Sequence, residues 1–67
     1  MTYIVTSLYH GGAVKRRERL SLDSAHRLAA WEVDQEGAHT ARIVTGAGAA
    51  IGTYAWRSGL TYADGEG

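Results

Sequence analysis

The feature that most limits how this chain can fold is one amphipathic run, Ser21 to Gly37, reading SLDSAHRLAAWEVDQEG. Leu22, Ala25, Leu28, Ala29 and Val33 fall on a single stripe of a helix that turns about 100° per residue. Ser21 suits the N-cap, where its hydroxyl accepts an otherwise unpaired N–H of the first turn. Asp23 puts negative charge at the positive end of the helix dipole. Gly37 suits the C′ position, because a residue without a Cβ enters the left-handed region freely. Ala and Leu favour helix, and no Pro interrupts the run. Leu28 is the expected anchor of the buried face. Trp31 lies about 130° around the wheel from the middle of the stripe. Its ring either folds back over the edge of the core or stands out as an anchor for a partner, as Trp does at binding hot spots.

The segments on either side read as strands and have only this helix to pack on. Thr2 to His10 is rich in Thr, Tyr, Ile and Val. Gly11-Gly12 follows and suits a two-residue type I′ turn, in which both residues take positive φ. Ala13 to Leu20 is then the return strand. Such a turn sets Tyr9, Ser7, Val5 and Tyr3 opposite Val14, Arg16, Glu18 and Leu20 on one face, the more apolar one, which belongs under the helix. The other face pairs His10, Leu8, Thr6 and Ile4 with Ala13, Lys15, Arg17 and Arg19. One more residue in the turn would flip Val14 to Leu20 relative to the first strand.

After Gly37, His39 to Thr45 and Ala50 to Arg57 read as a second hairpin around Gly46-Ala47-Gly48-Ala49. Pairing Val44 with Ile51 puts Ala41, Ile43, Tyr54 and Trp56 on the helix side, because aromatic side chains bury the most area. Thr40, Arg42, Val44, Ile51, Thr53, Ala55 and Arg57 then share the other side. Leu60-Thr61-Tyr62 adds a short strand or docks, and Ala63 onward reads as a polar tail. The expectation is an α+β fold of order ββαββ: one mostly antiparallel four-stranded sheet with a single helix on one face. Residues 1–62 form one small domain and residues 63–67 a flexible tail.

Composition removes several function classes. There is no Cys, hence no disulfide and no thiolate metal site. His10, His26 and His39 have no ligand-like spacing, so no metal site is expected. The first ten residues lack a basic segment followed by an apolar run, and no stretch approaches a membrane span. A cytoplasmic protein without membrane contact is the expectation. Seven basic and seven acidic residues balance.

One segment resembles an enzyme motif. Thr45 to Gly52, TGAGAAIG, follows Arg42-Ile43-Val44 and resembles the cofactor-binding segment of short-chain dehydrogenases/reductases, T-G-x-x-x-A/G-x-G. Thr45, Gly46, Ala50 and Gly52 match it. That resemblance implies a dinucleotide pyrophosphate held at a helix N-terminus. The residues that follow, Thr53-Tyr54-Ala55-Trp56, read as strand. The chain has no room for the further βα units, and no Lys follows Tyr54 or Tyr62 to complete a Y-x-x-x-K pair. Gly and Ala at a hairpin tip account for the segment. No cofactor and no enzymatic activity are expected, and Glu32, Asp34 and Glu36 read as acids that solvate the end of the helix.

Charge is segregated although the net is zero. In the expected register the sheet face away from the helix collects Lys15, Arg17, Arg19, Arg42 and Arg57 beside Ile4, Leu8, Val44 and Ile51. Aliphatics framed by Arg suit a protein interface. These residues and Trp31 are the expected partner-binding set of a small protein-interaction or self-associating module, a homodimer above all. The alternative is nucleic-acid binding, with the bases tracking phosphates. Six of the seven bases are Arg, and Ala and Gly are abundant. With the small size and the layout, that bias resembles the short uncharacterised proteins of actinobacteria and their phages, and the resemblance implies an accessory phage role.

Overall fold

The helix forms where the spacing puts it. In the computed structural model, which describes residues 1–64, α1 spans Leu22–Asp34. Ser21 has an extended backbone, and its Oγ accepts the Ser24 N–H at 3.1 Å. At the other end the Gln35 N–H donates to Trp31 O at 2.8 Å, and Gly37, at φ +79°, turns the chain out of the helix. The strands are β1 (Tyr3–Tyr9), β2 (Val14–Arg19), β3 (Ala38–Thr45), β4 (Ala50–Trp56) and β5 (Leu60–Asp64). They form one antiparallel sheet of five strands in the order β2-β1-β3-β4-β5, rather than four. The α+β class and the ββαββ start hold; β5 is the addition.

β5 exists because Gly52 has no side chain. The Tyr62 ring lies over Gly52, where a Cβ would run into it, and Tyr62 Oη donates to Ile51 O at 3.3 Å. Tyr54, paired with Tyr62 across the strands, packs against it with the rings tilted by 49° and centroids 4.6 Å apart. Ala63 and Asp64, expected in the tail, pair with Thr53 and Gly52. The rest of that tail, 65–67, lies outside the described residues.

The first hairpin departs from its expected register by one residue. His10, Gly11 and Gly12 all lie in the loop: the Tyr9 N–H donates to Ala13 O at 2.8 Å, and the Gly12 N–H to Tyr9 O at 3.1 Å. Gly11 and Gly12 sit at φ +90° and +93°, which an L side chain rarely adopts. The longer loop pairs Leu8 with Val14, Thr6 with Arg16, Val5 with Arg17 and Tyr3 with Arg19. Since side chains alternate across a strand, every β2 residue changes face. In the second hairpin the expected pairing holds from Thr40–Ala55 to Ile43–Gly52, then a bulge pairs Val44 with Ala50. The bulge frees Ile51 from the outer face, and it packs against the core.

The core lies between α1 and the second and third strands of the sheet, β1 and β3. Val5, Leu28, Val33 and Ile43 fill it, and Ala25, Ala29, Ala38 and Ala41 are buried around them. Truncating a fully buried aliphatic in so small a core should cost far more than truncating a peripheral aromatic. Ile43→Ala should therefore lower unfolding free energy by about 2–4 kcal/mol. Trp31→Ala should cost about 1 kcal/mol or less, because Trp31 is 45% exposed. Denaturant titration of the two variants checks this; equal losses would contradict the packing described.

Candidate functional site

The register divides the expected partner-binding residues between two surfaces. Ile4, Leu8, Arg42 and Val44 stay on the outer sheet face, and Arg57 lies at its end beside Thr40 and Ala55. Lys15, Arg17 and Arg19 do not: they pair with Ser7, Val5 and Tyr3 and project on the helix side. Val14, Arg16 and Glu18 take their places. The outer face thus carries Arg16, Arg42 and Arg57 with one acid, Glu18, not five bases without an acid. Leu8 and Val14 face each other across β1 and β2, 42% and 54% exposed, and Ile4 pairs with Val44.

On the helix side two of the three relocated bases meet specific partners. The Lys15 ammonium sits 5.1 Å from the Tyr9 ring centroid. Arg17 Nε lies 3.9 Å from Glu32 Oε2. Glu32 is not a solvating acid of the helix end: it is 1% exposed. Its Oε1 accepts the Tyr9 hydroxyl, while Oε2 has no hydrogen-bond donor. Burial pushes its carboxyl above the usual carboxylate range, and the Glu36 carboxylate one turn on adds to the rise. The signal for Glu32 was in the sequence, since it stands four residues after Leu28 and three after Ala29, on the apolar stripe.

The two flanks of α1 differ. Towards β5 an aromatic cluster closes the helix–sheet seam. His26 Nδ1 is 2.9 Å from Tyr54 Oη, and the His26 and Tyr62 rings lie 5.1 Å apart. Burial, foremost, raises the phenol pKa of both Tyr54 and Tyr62. Towards β2 the seam stays open as a shallow groove lined by Arg19, Ser24, Arg27, Leu28 and Trp31. Trp31 is thus an exposed wall of a groove.

TGAGAAIG forms a hairpin tip. Thr45 ends β3, the Gly48 N–H donates to Thr45 O at 2.8 Å, and Ala50 to Gly52 belong to β4. The backbone after it is strand, so the segment offers no helix N-terminus to a pyrophosphate. At the far end of the sheet the His10 and His39 rings meet edge to face, 5.1 Å apart, beside a shallow cavity lined in part by Asp34 and Trp56. Among the described residues no three His, Asp or Glu side chains gather as metal ligands, and no helix is long and apolar enough to cross a membrane. No family model, curated protein or solved structure matches the chain.

The buried carboxyl makes stability depend on pH with a definite sign. Its folded pKa lies above the ordinary 4.5, so the native state holds this proton more tightly than the unfolded chain does. The Glu32 contribution is most favourable below that ordinary value and is lost as pH rises through the folded pKa. Glu32→Gln keeps an acceptor for the Tyr9 hydroxyl and removes the charge. At pH 7 it should stabilise the fold by about 1 kcal/mol, because it removes a buried charge whose nearest cation, Arg17, is 3.9 Å away and half in solvent. It should also flatten the fall in stability above pH 4.5. Thermal unfolding of both proteins from pH 4 to 8 measures the difference; a less stable variant at pH 7 would contradict it.

Proposed function

We propose that this chain is a small non-catalytic interaction module that pairs through the outer face of its sheet, with a second copy as the first partner. The observation that carries the reading is the uncovered face itself. One helix lies across five strands on one side only, and Ile4, Leu8, Val14 and Val44 form an aliphatic band on the other. Five strands about 4.8 Å apart and about 20 Å long offer roughly 500 Å² per copy, so a face-to-face pair buries about 1,000 Å², the lower limit of a specific interface. Each aliphatic left in water forgoes roughly 1.5–3 kcal/mol of possible burial.

The register eases the electrostatics of such a pair. Lys15, Arg17 and Arg19 are off the face, and Glu18 is on it. Under two-fold symmetry Glu18 of one copy can meet Arg16 or Arg42 of the other, so the charges frame the aliphatic band instead of opposing each other. The accessory, phage-type role implied by composition and layout belongs to the same proposal.

Nucleic-acid binding is the second reading, and Arg16, Arg42 and Arg57 on one face favour it. The tyrosines of the sheet and Trp56 sit on the helix side, so the outer face lacks the stacking platforms on which single strands are held. Leu8→Glu and Glu18→Lys should each weaken the dimer at least tenfold, and salt should weaken it modestly. Sedimentation equilibrium at micromolar to hundreds of micromolar concentration reads this directly. A monomer at every concentration would remove self-association and leave a foreign partner for the face.

A further inference from the structure

The groove between β2 and α1 is a second surface, on the opposite side of the sheet from the aliphatic band. Its floor is Leu28 and its walls are Trp31 and Arg19, with Ser24 and Arg27 along the helix. It continues past Ser24 towards Ser21 and Leu20, the latter 83% exposed. α1 packs chiefly on β3, β1 and β4 and only lightly on the edge strand β2. On the β5 side the His26, Tyr54 and Tyr62 rings seal the equivalent seam. At the open seam Trp31 is 45% exposed and the edge of Leu28, otherwise buried, reaches the groove floor.

We infer that this groove binds an acidic peptide segment of another protein, with a bulky apolar side chain on Leu28 and Trp31 and a neighbouring carboxylate held by Arg19 and Arg27. Charge complementarity selects the occupant. Arg19 forms no ion pair among the described residues; its Nη1 donates to the Glu18 backbone carbonyl at 2.8 Å in an exposed contact. Arg27 is engaged only by Asp23, at 3.1 Å in a pair exposed on both sides, and such a pair holds its side chain weakly. Arg17, two residues along β2, has its Nε 3.9 Å from Glu32 Oε2 and keeps half of its side chain in solvent. Two available guanidiniums beside an indole and a Leu match a carboxylate next to an apolar anchor, since Arg takes a carboxylate in bidentate fashion and Trp and Arg dominate hot spots.

A nucleic-acid strand fits the groove less well. It offers one aromatic where successive bases need several, and Asp23, paired with Arg27 at its edge, sets a rim charge against a phosphate chain. One carboxylate fits between Arg19 and Arg27 without following that rim. The inference rests on the reading of the chain as a protein-binding module but not on its outer face, and the variants below separate the two.

The test is selection of the full chain against a phage-displayed library of random dodecapeptides, with a short oligothymidylate titrated in parallel. Enriched peptides should pair Asp or Glu with Leu, Ile or an aromatic residue. Their synthetic versions should bind at least tenfold more weakly to Arg19→Glu and to Trp31→Ala, and equally well to Leu8→Glu. Arg19→Lys should recover part of the loss. Arg19 and Trp31 lie at the surface, and unchanged circular dichroism of each variant identifies the loss as one of contact; where Arg19→Glu perturbs the fold, Arg19→Gln gives the same reading. The proposal is overturned by a selection that enriches nothing or enriches basic peptides. It is equally overturned by binding indifferent to Arg19 and Trp31, or by oligothymidylate binding in place of peptide. Loss of binding in Leu8→Glu alone would move the site to the outer face.

Discussion

The structure depends on how closely α1 can approach the sheet. Ala25 and Ala29 on the helix meet a sheet in which Ala38 and Ala41 are equally buried, and these small side chains let two backbones come near each other. Val5, Leu28, Val33 and Ile43 then suffice to fill the space. A chain of 67 residues has little apolar surface to spare, so a thin, tight core is the economical solution. The same closeness has a cost. Glu32 occupies the buried stripe and is drawn in with it, leaving one carboxylate oxygen without a donor.

Burying Glu32 ties the helix to the register of the first hairpin. With a two-residue turn, Glu18 would face the helix opposite Val5, bringing a second carboxylate towards Glu32, and Arg17 would point away. The longer loop through His10, Gly11 and Gly12 puts Arg17 opposite Val5 instead, beside the buried acid. A buried charge contributes little net stability but strongly disfavours arrangements that leave it unpaired or beside a like charge. The glycine loop permits either register, and electrostatics favours the observed pairing.

That pairing also decides what the surfaces are. Moving three bases to the helix side leaves the outer face with a mixed charge pattern around an aliphatic band, which suits a symmetric protein contact better than a phosphate track. Of the displaced bases, Arg19 lines the groove on the β2 flank together with Trp31. The asymmetry of the two flanks comes from β5: its Tyr62, packed against Tyr54 over a glycine, closes one side of the helix. A single helix over five strands is therefore sealed at one seam and open at the other.

The helix, its cap at Ser21, its buried stripe apart from Leu22, which stays 38% exposed in the first turn, and the second hairpin from Thr40 to Gly52 were legible in the sequence, because each rests on local spacing and on residue types with strong backbone preferences. Trp31 off the stripe was legible for the same reason. The register of the first hairpin was not. Two adjacent glycines fit a loop of two residues or three, and the charged strand that follows has no apolar alternation to choose between them. The bulge that turns Ile51 inward and the strand that Tyr62 builds over Gly52 were hidden too, since both depend on contacts between residues far apart in pairing, not on a pattern along the chain. Sequence alone thus determined which residues could be core and which could bind. Tertiary structure decided which binding residues share a surface, because one residue of loop length moves a whole strand from one face of a sheet to the other.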